Sequence, residues 1–112
     1  MNWIKLESTP QLEEINRKSE QQPILILKHS TRCPVSFAAL ERIEEGSKAL
    51  EGIGFQAYFL DLINYRSISN KITELYKVTH QSPQILIIKK GKAIYHNSHM
   101  GVSIQNIKKA LQ

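Results

Sequence analysis

The one cysteine of this chain, Cys33, stands where a thiol is easily ionised: just after an apolar run and just before a helix start. The local sequence is Ile24-Leu25-Ile26-Leu27-Lys28, His29-Ser30-Thr31-Arg32, then Cys33-Pro34-Val35-Ser36. Proline suits the first helical position, because the N–H it lacks would have no partner there. With Pro34 in that place Cys33 becomes the N-cap, and the N–H groups of Val35 and Ser36 point back at its sulfur. Those donors, the positive end of the helix dipole and the charge of Arg32 all favour the thiolate. A single thiol closes no internal disulfide, so any redox cycle takes its second thiol from another molecule.

The elements that must hold this turn follow from periodicity. Trp3-Ile4-Lys5-Leu6 alternates as a short strand, and Ser8 or Thr9 is placed to cap a helix with Leu12 and Ile15 inward. Ile24 to Leu27 is continuously apolar, as expected of a strand covered on both faces. The helix from Pro34 carries Phe37, Leu40 and Ile43 as its expected inner face and extends towards Leu50, with Gly46 inside or splitting it and Gly52 and Gly54 beyond. Phe55 to Asp61 is a third strand, and Ile68, Ile72, Leu75 and Tyr76 mark an amphipathic helix. Gln84 to Lys89 is a second buried strand, turned by Lys90-Gly91 into the alternating edge strand Lys92 to His96. Ser103 caps a last helix through Ile104, Ile107 and Leu111. The order β-α-β-α-β-α-β-β-α predicts an α/β fold, a central mixed sheet flanked by helices, in a single domain over residues 1–112.

These features resemble the thioredoxin superfamily: a strand, a Cys33-x-x-Ser36 turn, a helix, and Ser82-Pro83 just before a buried strand. The resemblance implies a cis peptide at Pro83 facing the sulfur, with an open backbone at Ser82 for an extended substrate. His29-Ser30-Thr31-Arg32-Cys33-Pro34-Val35-Ser36, Asp61-Leu62-Ile63, His80-Gln81-Ser82-Pro83-Gln84 and Ser98-His99 are similar more closely to the monothiol bacilliredoxins. That resemblance implies an oxidoreductase that removes bacillithiol, or a similar low-molecular-weight thiol, from mixed disulfides on client proteins. Cys33 would be the catalytic residue, with Arg32, Pro34, Val35, Ser36, Ser82 and Pro83 stabilising the thiolate or touching substrate. The small thiol would be a co-substrate, with no bound cofactor. The chain lacks both the tryptophan that precedes the thioredoxin motif and a second cysteine, so general disulfide reduction is not what the pattern implies.

Bland readings stand beside these. A lone cysteine is commonly a small buried hydrophobe, but Ser30, Thr31, Arg32 and Pro34 are not core neighbours. Ser36 equally fits helix capping, and Arg32 either steers an anionic thiol or faces solvent. His29 and His80 are either proton shuttles near Cys33 or structural. His80, His96 and His99 with Cys33 lack the close spacing of a zinc site, so no metal is expected. Two other functions remain: a non-catalytic redox-sensing or peptide-binding module, and an iron–sulfur carrier of the monothiol-glutaredoxin kind.

Composition narrows the rest. The 112 residues are 41% hydrophobic and 22% charged, ordinary for a globular chain. No apolar run reaches membrane-spanning length. The N-terminus shows no basic region followed by an apolar stretch, and an unpaired cysteine without such a leader is expected in the reducing cytoplasm. Residues 1–61 hold seven Lys and Arg against nine Asp and Glu, whereas residues 62–112 hold eight against one. No aromatic residues interleave with those lysines, so they are expected to form a solvated surface that favours anionic thiols, not a nucleic-acid site.

Overall fold

Ile24, Leu25, Ile26 and Leu27 are all buried because a helix layer lies against each face of the sheet they cross. In the computed structural model, which describes residues 1–112, they belong to strand β2 (Ile24–His29) at the centre of five strands. The others are β1 (Trp3–Lys5), β3 (Gln56–Asp61), β4 (Gln84–Lys89) and β5 (Lys92–Ser98), in the spatial order β1-β3-β2-β4-β5. β1, β3 and β2 run parallel; β4 is antiparallel to β2, and β5 to β4. The helices are α1 (Pro10–Lys18), α2 (Pro34–Gly46), α3 (Arg66–Tyr76) and α4 (Ile104–Leu111), with short 3-10 turns at Ser47–Leu50 and His99–Gly101. The element order is the expected one.

Successive β2 side chains alternate between the two faces. Ile24 and Ile26 pack with Leu12, Ile15, Ile68 and Ile72 of α1 and α3. Leu25 and Leu27 pack with Ala39, Ile43, Ile107 and Leu111 of α2 and α4. Each fully buried Ile or Leu side chain among these stabilises the fold by roughly 1.5–3 kcal/mol before chain entropy is set against it. The two-residue Lys90-Gly91 loop has positive φ at both positions, 52° and 73°, the backbone that matches the twist of a tight hairpin.

Three local expectations are corrected. Neither Ser8 nor Thr9 caps α1: Thr9 is itself helical, and Gln11 Oε1 instead accepts the backbone N–H groups of Glu7 and Ser8 at 2.7 and 3.0 Å. The inner face of α2 is Ser36, Ala39 and Ile43, so Phe37 turns outward and is 50% exposed. The face of α2 turned to the sheet starts with the small Ser36 and Ala39, and Phe37, one residue on from Ser36, falls on the next side of the helix. In α3 the buried set is Ile68, Ser69, Ile72 and Tyr76, which leaves Leu75 in solvent. Ser103 does cap α4, its Oγ accepting the Asn106 N–H at 3.2 Å.

Gly46 closes α2 where a Cβ would lie 2.5 Å from Ile104 Cγ1 and 3.1 Å from Ile104 Cβ. Ile104 is β-branched and stiff at χ1, so it cannot swing aside. Gly46→Ala is expected to destabilise the protein by about 1–2 kcal/mol through overpacking, seen as a lower thermal midpoint. In an Ile104→Ala background the same change should be neutral or stabilising, because the clash is gone and alanine is the better helix former.

Candidate active site

Strand directions bring the chemistry to one end of the sheet. β2 ends at His29 and leads into the Cys33 turn. Because β4 runs the other way, its first residue, Gln84, lies opposite Lys28 near that same end. β5 ends there too, with Ser98 opposite Gln84, and the His99 N–H donates to the Pro83 carbonyl at 3.0 Å. The Cys33 turn, the Thr79–Pro83 segment and the His99–Gly101 turn therefore share one rim. The Ser82–Pro83 peptide is cis.

Cys33 is the extended N-cap residue of α2 and is partly exposed. Its pKa lies below the usual thiol value, first because the Ser36 N–H faces the sulfur, then through the Val35 N–H and the Ser36 hydroxyl, with partial burial opposing. The Ser36 N–H also donates to the Cys33 carbonyl at 3.0 Å. The sulfur thus sits in the field of first-turn dipoles without a fully formed capping bond. Ser36 is 1% exposed, and its Oγ shares a 3.4 Å hydrogen bond with Ser82 Oγ. That contact joins the Cys33 turn to the segment before β4.

The expected site residues separate into those the fold brings together and those it leaves apart. Cys33, Val35 and Ser36 meet at the sulfur; Ser82 meets Ser36; Pro83 is buried beside them at the strand start. Pro34 opens the helix at the surface. Arg32 is exposed, and the groups that lower the Cys33 pKa do not include it, contrary to the expectation that its charge helps. The basic turn Lys89–Lys92 lies at the opposite end of the sheet from Cys33, which removes it from any local role in attracting an anionic thiol.

His29 and His80 take other places. His29 is 2% exposed, with its ring edge-on to Phe37 at 4.7 Å and tilted over Phe59 at 5.2 Å. Burial pushes its pKa down, against the Asp61 carboxylate and the Ser36 backbone, so the ring is neutral near pH 7. His80 contacts Lys28 and Ser69. Neither histidine is among the groups that set the Cys33 ionisation. No group of three or more His, Cys, Asp or Glu side chains is placed to hold a metal ion.

One residue that periodicity hid borders the thiol. Phe37, assigned inward by spacing, instead walls a shallow cleft of about 500 Å³ with Thr31, Arg32, Cys33, Pro34, Ala38 and Glu41. Met100, 78% exposed, tops the neighbouring turn. The small residues at 36 and 39 were the available signal that the inner face of α2 starts at Ser36, not Phe37.

A family model described as Monothiol bacilliredoxin BrxC matches residues 4–107. The chain belongs to this family. A solved structure described as having a thioredoxin fold is similar with a TM-score of 0.83 and 26% identity, over 97% of this chain and 93% of that one. The thioredoxin of Fasciola hepatica gives a TM-score of 0.72 at 16% identity, covering 96% of this chain and 94% of that one. The thioredoxin of Trypanosoma brucei brucei gives 0.75 at 17%, covering 96% and 88%. These last two share the fold. As a bacilliredoxin-family protein of thioredoxin fold, the chain is a thiol oxidoreductase.

Thiolate absorbance followed against pH should place the Cys33 midpoint below about 8.5, the free-thiol value. Arg32→Gln should leave that midpoint in place, since dipoles of the α2 first turn set it. Ser36→Ala should raise it modestly, because the main-chain N–H survives while the hydroxyl is lost. A large upward shift in Arg32→Gln would transfer the control from the helix terminus to the side-chain charge.

Proposed function

We propose that this protein is a monothiol bacilliredoxin that removes bacillithiol, or a similar low-molecular-weight thiol, from mixed disulfides on client proteins. The observation that carries the reading is the pairing of a partly exposed, thiolate-favouring Cys33 with a buried serine at the position where a resolving thiol would sit. The Cys33 thiolate attacks the small-thiol sulfur of a client–S–S–R disulfide. A Cys33–S–S–R bond forms, the sulfur–sulfur bond of the client disulfide breaks, and the client leaves as thiolate with its own sulfur. A second small thiolate attacks the small-thiol sulfur of the adduct, which releases Cys33 thiolate and the symmetrical RSSR. A depressed pKa serves both halves: it raises the thiolate fraction, and it makes Cys33 a better leaving group in the second.

Ser36 cannot expel the adduct, so the intermediate waits for an external thiol. Its hydroxyl, Val35 and the first-turn N–H groups stabilise the thiolate each time it is regenerated. Arg32, Phe37 and Pro34 border the cleft open to the small thiol, and Ser82 and Pro83 flank the client side. The reducing cytoplasm supplies the free thiol this cycle consumes, and one domain of 112 residues suffices for it.

Oxidised bacillithiol should leave one adduct per chain, visible as a single mass shift. Release should be linear in reduced thiol at low concentration and absent without it. Ser36→Cys, on the same helical face as Cys33, should acquire an internal disulfide and shed the adduct unaided. An adduct that disappears from the parent protein with no thiol added would reveal another resolving group and overturn the monothiol cycle.

A further inference from the structure

The β2 strand carries one charge inside its apolar run. Lys28 is fully buried, and its Nζ donates to three acceptors, each at 3.3 Å: the Ser69 carbonyl, Thr73 Oγ1 and His80 Nδ1. Three N–H bonds of an ammonium meet three acceptors. Neither ion pair of the protein includes this lysine. Burying a cation without a carboxylate is costly, and Ile24 and Ile26 fill the same face of β2 with apolar groups. Beside Lys28 across the β2–β4 pair, Gln84 donates from Nε2 to the Thr79 carbonyl at 3.0 Å. Two neighbouring side chains of the sheet thus hold two consecutive residues, Thr79 and His80. Two residues further on, Ser82 touches Ser36.

We propose that Lys28 is a positioning residue for thiol transfer: acting through His80, it holds the Thr79–Pro83 segment against the Cys33 turn. The proposal rests on the thiol-transfer reading of that site. It separates two properties of the enzyme. The Cys33 thiolate is stabilised chiefly by N–H groups of its own helix, which do not depend on this segment. Loosening the segment should therefore weaken client binding far more than it alters the intrinsic reactivity of Cys33, which the segment reaches only through the Ser36 hydroxyl.

The clamp has a definite protonation state. Burial brings the Lys28 pKa down to about 8, so the ammonium is the major form at neutral pH. His80 Nδ1 accepts only while the ring is neutral. Burial first, then the charges of Lys28 and Arg66, hold the His80 pKa below its ordinary value. The groups facing the pair are Ser69, Thr73 and Arg66 from α3 and Gln84 from β4; no carboxylate is among the partners of either. As pH falls through the lowered His80 pKa, Nδ1 gains a proton, and two cations face each other where one hydrogen bond stood.

The test compares the parent protein with Lys28→Met, His80→Asn and His80→Leu. Asparagine keeps an acceptor near the Nδ1 position and does not titrate. Lys28→Met should lower the hydrogen-exchange protection of the His99 amide, which donates to the Pro83 carbonyl at the end of the held segment, and raise the His80 midpoint seen by NMR. It should also raise KM for a peptide bearing one bacillithiol mixed disulfide by roughly tenfold, the scale of one charge-assisted hydrogen bond. The rate of Cys33 alkylation by iodoacetamide should change by less than about twofold, well short of the tenfold KM effect. His80→Leu should reproduce the KM and exchange effects from a half-buried position that does not threaten folding, whereas His80→Asn should keep the parent KM and lose its rise at acid pH. Unchanged protection in both Lys28→Met and His80→Leu overturns the clamp. Changed protection with an unchanged KM overturns its role in positioning. A parent protein that fails to turn over the peptide overturns the thiol-transfer reading, and with it the role assigned to Lys28 in transfer, while the exchange and His80 measurements still decide whether the clamp exists.

Discussion

Because β4 is antiparallel to β2 at the middle of the sheet, the residues that begin one strand lie beside those that end the other. Everything at the site depends on that constraint. Cys33 follows the end of β2, and Pro83 precedes the start of β4, so roughly fifty residues of intervening chain close into one contact, Ser36 Oγ to Ser82 Oγ. A parallel pair would have sent the two segments to opposite edges. The antiparallel β5 then returns to the same rim and adds His99 and Met100. The hydrophobic burial of β2 on both faces fixes this pairing, since a shift of one residue would exchange every side chain between the two cores.

On that frame the reactivity of Cys33 comes from local geometry and owes little to net charge. The amide of Ser36 and that of Val35 stand at the start of α2 facing the sulfur, and the hydroxyl of Ser36 adds to them. The chain's positive charges act elsewhere: Lys28 is buried under α3, and Lys89, Lys90 and Lys92 stand at the far end of the sheet. Screening by salt acts over about 8 Å at physiological strength, so the distant lysines have little purchase on the thiol. A helix terminus in contact with the sulfur is screened far less.

The neighbourhood is more polar inside, and more apolar outside, than pattern reading implies. Lys28 and Gln84 sit within buried strands and spend their hydrogen bonds on α3 and on the Thr79–His80 backbone and ring. Phe37 stands in solvent beside the thiol, and Met100 is exposed on the His99–Gly101 turn. The two departures have separate causes: α3 and the Thr79–His80 segment supply the hydrogen-bond partners of Lys28 and Gln84, and α2 packs on the sheet through Ser36, Ala39 and Ile43, which turns Phe37 to the rim.

Read alone, the sequence carries the element order, the two buried strands, the hairpin at Lys90-Gly91, the Ser103 cap and the Cys33-Pro34 helix start. Each rests on a short-range rule, such as apolar period, a turn residue or a missing N–H, that acts within a few residues and so survives without knowledge of the fold. The Cys33-x-x-Ser36 and Ser82-Pro83 patterns also point to the family before any contact is known. What the sequence leaves open is decided across distance. α1 starts without a side-chain cap, and Gln11 instead reaches back to the amides of Glu7 and Ser8 in the segment before the helix. Phe37 and Leu75 face solvent because helix rotation is set by what the sheet can accommodate, which spacing within the helix does not record. Arg32 faces solvent and Lys28 gains three partners, because side-chain direction and the packing of α3 and the Thr79–Pro83 segment over β2 exist only once the chain has closed on itself.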